Sequence, residues 1–210
     1  MTSKSEIGEY KYISAAPTQT ANYLWPKVEE VLKTKLQNPN ILDLGCGNGA
    51  FTMRLAQLGY DVIGIDPSES GISHASKASA DIRFEVGSAY DDLRQKFGAV
   101  DCVVSLEVVE HLYSPKLFAE NIFKVLRPGG IGIISTPYHG YWKNLALAAT
   151  GSMDKHFTAL WDHGHIKFWS VKTLSKLFEM HGLKVDHFRF AGRFSLMAKS
   201  MIAVVSKPQI

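Results

Sequence analysis

The stretch Ile41-Leu-Asp-Leu-Gly-Cys-Gly-Asn-Gly49 constrains the fold more than any other part of the chain. A short apolar run carries one acid, breaks into alternating glycines and passes at once into the helical pattern Ala50-Phe-Thr-Met-Arg-Leu-Ala-Gln-Leu58. The order is strand, tight turn, helix N-terminus. Glycines permit positive φ and let a ligand approach the backbone, and the first turn of a helix presents unpaired N–H groups. The occupant that suits such a turn is nucleotide-like.

Gly45, Gly47 and Ala50 also satisfy the dinucleotide fingerprint G-x-G-x-x-G/A, so the glycine spacing alone leaves a nicotinamide cofactor open. Asp43 separates the readings. A carboxylate just before the turn would repel a pyrophosphate, whereas it suits a ligand whose near end is cationic. S-adenosylmethionine (SAM) carries an ammonium and a sulfonium and has no phosphate. Leu42-Asp-Leu-Gly-Cys-Gly-Asn-Gly49 resembles motif I of the class I SAM-dependent methyltransferases. The resemblance implies cofactor contacts from Asp43, Gly45, Cys46, Gly47 and Gly49.

The chain in order supports that class. Apolar residues at helical spacing predict an amphipathic helix from Thr18 to about Gln37, behind an arm over residues 1–16 that contains Tyr10 and Tyr12. Such an arm can lie across the cofactor mouth or be an unstructured tail. Asp61-Val-Ile-Gly-Ile-Asp66 is a second strand ending in an acid, followed by Pro67 and Ser68. An acid at that strand end is placed to accept hydrogen bonds from ribose hydroxyls, and Asp66 with Pro67 joins the cofactor set. Asp66 could instead cap the next helix, a job for which Ser68 is the better placed.

A helix over Glu69–Ala80, a strand over Ile82–Val86 and a strand over Ala99–Ser105 continue the alternation. The helix Pro115–Leu126 leads to Arg127-Pro-Gly-Gly130, which is expected to turn the chain into a fifth strand, Ile131–Ser135. In the family that the sequence resembles, the turn after the third strand holds the adenine. Here Ser88 stands where an acid is common, with Ala89 and Tyr90 beside it, and Leu106 is expected to pack on the adenosine. After a helix over Val171–Met180, two strands at about Leu183–Phe190 and Leu196–Ser206 are joined by too short a connection for a crossover helix. They must pair antiparallel. The expected fold is α/β, a doubly wound, mostly parallel seven-stranded sheet with an antiparallel C-terminal strand, in a single domain 1–210 with residues 1–37 as arm and helix.

The reaction is expected at a second place. Methyl transfer needs orientation and a deprotonated nucleophile, through a general base or a metal that lowers the hydroxyl's pKa. Glu107, Glu110 and His111 have spacing i, i+3, i+4, so on a helix all three would face one side at the end of the fourth strand. His111 and Glu107 are the candidate catalytic residues. The context Leu106-Glu-Val-Val-Glu-His-Leu112 resembles the ubiquinone-biosynthesis O-methyltransferases, and also the small-RNA 2′-O-methyltransferases in which a further histidine completes a metal site. That likeness implies a Mg²⁺ or Zn²⁺ site of Glu107, Glu110 and His111 with His163 or His165, of which His165 is preferred. A metal-free histidine base remains open.

Residues 137–169 interrupt the alternation with Trp142, Trp161 and Trp169 and with His139, His156, His163 and His165. Aromatic density over such a long connection points to a cap over the reacting groups, with a short helix near Lys143–Ala149. The acceptor is expected to be a small, aromatic hydroxyl compound. A net charge of +3 without a dense Lys/Arg block disfavours nucleic acid. Peripheral membrane contact by the cap stays open. Cys46 and Cys102 form no disulfide framework, and neither a signal peptide nor a run of about 20 apolar residues is present, so a cytoplasmic location is expected. The competing classes are methylation of another nucleophile, an NAD-binding oxidoreductase, and a SAM-binding protein without turnover.

Overall fold

The computed structural model describes residues 11–157, 159–162 and 164–209; Tyr10 of the expected arm lies outside them. The elements run α1 (Ala21–Lys35), β1 (Asn40–Leu44), α2 (Ala50–Gln57), β2 (Asp61–Asp66), α3 (Glu69–Ala78), β3 (Arg83–Val86), α4 (Leu93–Phe97) and β4 (Val100–Leu106). They continue with α5 (Pro115–Val125), β5 (Leu126–Pro137), α6 (Tyr141–Ala149), α7 (Met153–Phe157), α8 (Val171–Glu179), β6 (Lys184–Ala191) and β7 (Ser200–Ser206). The seven strands form one sheet in the order β3-β2-β1-β4-β5-β7-β6. β7 is inserted between β5 and β6 and runs antiparallel to both.

Period-two alternation sends neighbouring residues of the central strands to opposite faces. Leu42, Leu44 and Val103 pack with Phe118, Ile122, Leu174 and Phe178 of α5 and α8 on one side. Ile41, Cys102 and Val104 pack with Leu24, Val28, Leu32, Phe51 and Leu55 of α1 and α2 on the other. Both faces are covered, which is why β4 is continuously apolar at its centre. The parallel strands β1, β2 and β4 therefore end together at one edge, and the glycine turn, Asp66 and Glu107 follow directly from those ends.

Four expectations are corrected. Arg127-Pro-Gly-Gly130 does not precede the fifth strand as a turn: it is an irregularity inside β5, between the pairs Val100↔Leu126 and Cys102↔Ile131. Gly129, at φ 74°, lets its N–H reach the Lys207 carbonyl there. The connection between β6 and β7 runs from Gly192 to Lys199 and includes a 3₁₀ turn at Ser195–Met197, so β7 starts later than the apolar Leu196 suggested. The helix α4 was not foreseen; Asp92 caps it by accepting from the Gln95 N–H at 3.0 Å.

The fourth correction matters most. The segment after β4 is not α-helical: Glu107 has φ 56°, and only Val109–His111 forms a 3₁₀ turn. The Glu107 N–H donates to Ser135 Oγ at 3.0 Å, which fixes the left-handed residue against β5. A helix cannot propagate through that conformation. It starts instead at Pro115, where proline suits the first helical position.

Candidate functional site

The cofactor end is built beneath the glycine turn. Asp43 is 2% exposed and its Oδ2 accepts from Thr52 Oγ1 at 2.7 Å, one turn into α2. Burial pushes its carboxyl up to about 7, against the Thr52 bond and with some help from the Asp66 charge. Asp66 accepts from the Gly47 N–H at Oδ2 and from the Ser68 N–H at Oδ1, both at 2.8 Å. Burial raises its pKa as well, with the two backbone bonds opposing. Ser68 caps α3 by accepting from the Gly71 N–H. Asp66 thus clamps the glycine turn to the end of β2, and each of its oxygens keeps a further acceptor position that can serve a ribose hydroxyl.

The turn leaves no room for side chains. A Cβ on Gly45, at φ 83°, would lie 2.4 Å from a Val108 methyl, and one on Gly47, at φ 57°, would lie 2.5 Å from the Tyr12 hydroxyl. Tyr12 belongs to the arm, which is seated on the turn: its N–H donates to Ser70 Oγ, and Asn48 Nδ2 donates to the Ser14 and Ala16 carbonyls at 2.8 Å each. Cys46 is buried between these groups, and Gly49 opens α2 in the left-handed conformation. Pro67 is exposed between Asp66 and Ser68.

In the loop after β3, Ser88 Oγ accepts from the Tyr90 N–H at 3.1 Å, so this hydroxyl shapes the turn. Asn121 of α5, buried, donates to the Ala89 and Asp91 carbonyls at 2.9 Å each and fixes the loop from behind. Sequence reasoning missed it; the signal was a polar residue among Phe118, Ile122 and Val125. Leu106 is half-buried against the α1/α2 side of the core.

The second end lies where β4 meets the cap. Glu107 is held away from its neighbours: Ser135 Oγ donates to Oε1 at 2.8 Å and Ser200 Oγ to Oε2 at 3.3 Å. Burial pushes its carboxyl up to about 7, opposed by these bonds and by Lys143. Glu110 is 0% exposed, and among the described residues neither carboxylate oxygen has a formed hydrogen bond, although the Thr136 hydroxyl lies near enough to favour the charged form. Burial, then the Glu107 charge, holds its carboxyl well above the usual range. Its Oε1 lies 4.0 Å from His111 Nε2 and 3.9 Å from His165 Nε2.

The cap brings His165 there through the backbone. The Ile166 and Lys167 N–H groups both donate to the Glu110 carbonyl at 2.9 Å, and Trp169 Nε1 donates to the Val109 carbonyl. His111 Nδ1 lies 3.2 Å from the Gly164 carbonyl, which can only accept, so that nitrogen carries a proton. Burial, with the charges of His111 and His156, pulls His165 down to about 4 and leaves it neutral near pH 7. Donor atoms of Glu110, His111 and His165 all lie within 4.8 Å of one another, while Glu107 stands outside this group. His163 lies outside the described residues.

Comparison with known proteins now bears on the site. The profile of a methyltransferase domain matches residues 18–187, from just before α1 into β6. The chain belongs to the methyltransferase-domain family. A ubiquinone biosynthesis O-methyltransferase of Nitrobacter winogradskyi is 34% identical over 154 residues, 69% of this chain and 56% of that relative. The chain thus spans about half the length of the curated relatives it matches. A SAM-dependent methyltransferase from Methanosarcina mazei superposes with a TM-score of 0.66 at 21% identity, covering 86% of this chain and 98% of that one. The magnesium protoporphyrin IX methyltransferase of Synechocystis superposes with a TM-score of 0.66 at 18% identity, covering 90% and 82%. At these identities the likeness bears on the fold, which is that of the class I, Rossmann-like methyltransferases.

In this methyltransferase domain the residues beneath the turn suit a cationic ligand. Two buried carboxylates, Asp43 and Asp66, are both pushed toward protonation by burial, and a nearby positive charge would hold them ionised. A pyrophosphate would meet the same two acids as repulsion.

Proposed function

We propose that this chain transfers the methyl group of SAM to a hydroxyl of a small aromatic acceptor, with the oxygen activated beside Glu110, His111 and His165. The observation that carries the reading is Glu110, fully buried with no formed hydrogen bond to either oxygen among the described residues and two imidazole nitrogens about 4 Å away. Burying a carboxylate without a partner is strongly unfavourable, and a cation among the three side chains would remove the penalty. One carboxylate and two imidazoles favour Zn²⁺ or Mn²⁺ over Mg²⁺, which prefers an all-oxygen set.

SAM supplies an electrophilic methyl on a sulfonium, and a divalent ion supplies a Lewis acid that lowers the pKa of an acceptor hydroxyl. The chain's own residues orient and hold charge. Asp43 and Asp66 bind the cationic and ribose parts beneath the turn. Glu107, fixed by Ser135 and Ser200, sets the wall between the two ends. The His111 Nδ1 contact to Gly164 fixes the ring beside Glu110 and His165, and Trp161, edge-on to His111 at 6.1 Å, offers an aromatic wall. The name of the relatives supports a hydroxyl as acceptor.

The His111 orientation also favours a second reading, in which His111 takes the hydroxyl proton itself without a metal. One experiment separates them: methyl transfer from labelled SAM to catechols, before and after chelation. The metal reading expects activity to fall at least tenfold in EDTA and to return with Zn²⁺ or Mn²⁺. Full activity in EDTA, lost in His111→Ala, assigns the base to His111. Absence of SAM binding in calorimetry would remove both.

A further inference from the structure

A cleft of about 360 Å³ opens beside the cap, lined by Lys143 and Leu147 of α6, Lys155 and His156 of α7, and Arg193 and Lys199 from the β6–β7 connection. Ser152, Met197 and Ala198 complete the lining, and no carboxylate is among these residues. Among the described residues, none of the four permanent cations forms an ion pair. On an ordinary protein surface both signs are interspersed, so a concave, acid-free basic lining drawn from three separate elements is a deliberate charge arrangement. A second hollow of about 450 Å³, at the opposite end of β5, has Asp92 among Arg94, Lys124 and Lys207, so its basic lining is partly offset by an acid.

Lys143 forms the inner end of the cleft. It is 8% exposed, and its Nζ donates to the Tyr138 carbonyl at 2.8 Å and the Ala198 carbonyl at 3.2 Å. An ammonium has three donors, so one remains after these two bonds. Burial, then the Arg193 charge, pulls its pKa below the usual lysine range, with Glu107 opposing. The like charges of Lys143 and Arg193 are thus brought together without compensation in the cleft itself. Lys143 also acts electrostatically on Glu107 and His139, so the cleft adjoins the acceptor end described above.

We propose that this cleft is an oxyanion-binding site, taking a phosphate, pyrophosphate or carboxylate group carried by the methyl acceptor. The assignment to the acceptor rests on the proposed function; the anion site itself stands on the geometry alone. Arg193 supplies a bidentate fork, Lys155 charge at the mouth and Lys143 a fixed donor at the floor, while the Lys199 ammonium lies over the Tyr23 ring, 5.3 Å from its centroid. The exposed apolar residues of α6, Tyr141, Trp142 and Leu145, which a membrane contact would use, do not line it.

The test is calorimetric titration of the full chain, without SAM, using inorganic pyrophosphate and separately benzoate, against NaCl of matched ionic strength. Pyrophosphate is expected to bind one to one, at least tenfold weaker in Arg193→Ala and in Lys155→Ala, while SAM affinity stays the same in both variants. Saturation by benzoate as well assigns the site to carboxylates and phosphates alike; pyrophosphate alone restricts it to phosphate groups. Heats equal to the NaCl control, or equal in the variants, would overturn the proposal. So would loss of phosphatidylglycerol-vesicle binding in the variants with no response to pyrophosphate, which would make the basic lining a membrane contact. Pyrophosphate binding without methyl transfer to any hydroxyl would instead refute the proposed function and leave the anion site standing.

Discussion

The two ends of the site treat buried acids in opposite ways. Beneath the glycine turn, Asp43 is bonded by Thr52 and Asp66 by two backbone N–H groups, so both carboxylates hold the fold together before any ligand arrives. At the end of β4, Glu110 is more deeply buried and, among the described residues, has no formed hydrogen bond on either oxygen. The first end is self-supporting and pre-shaped. The second holds a buried acid that the described residues do not hydrogen-bond, which is the pattern expected where a reaction or an ion uses the group.

That contrast can be broken most directly at Asp66. Asp66→Ala leaves the Gly47 and Ser68 N–H groups without their acceptor, and urea unfolding should show a loss of about 3 kcal/mol. A loss below about 0.5 kcal/mol would mean that the turn does not depend on the clamp.

A medium effect is expected at Asp43 and depends on pH. Its carboxyl sits at about 7 in the folded chain against an ordinary value of 3.8, so between those pH values the folded state holds a proton that the unfolded state has lost. Stability from this group is therefore complete below about pH 4, falls as pH rises through 7, and is level above it. Asp43→Asn should reduce the slope of stability against pH by about 1.4 kcal/mol per unit in that window. Chemical denaturation at several pH values measures it, and an unchanged slope would contradict the buried, weakly partnered acid.

The smallest change belongs to Glu110. Glutamine matches the shape of Glu110 and removes no hydrogen bond formed among the described residues, so Glu110→Gln should alter stability at pH 7 by less than about 1 kcal/mol. A destabilisation as large as that of Asp66→Ala would show that Glu110 supports the fold like the acids of the other end.

Legibility in the sequence followed the range of the interactions. β2 was read with its observed bounds, and α2 and α3 with their starts, because apolar periodicity and glycine punctuation are local signals. Asn121 was invisible because its partners, Ala89 and Asp91, lie about thirty residues away. The arm was ambiguous for the same reason, since the Ser70 and Asn48 bonds that seat it on the turn join residues 58 and 34 positions apart. The spacing of Glu107, Glu110 and His111 was misread as one helical face, because nothing local announces that Ser135 will hold Glu107 in a left-handed conformation.

The sequence by itself determined the strand–turn–helix at Asp43–Gly49, the alternation that makes a mostly parallel sheet, and the antiparallel last strand, all of which follow from short-range sterics and hydrophobic period. Only the tertiary structure decided which acids are paired. Glu107 went to Ser135 and Ser200, and Glu110 was joined by His165 through the backbone bonds of a cap fifty residues on. Pairing of buried charge depends on which strand ends meet in space, and that is a property of the assembled sheet.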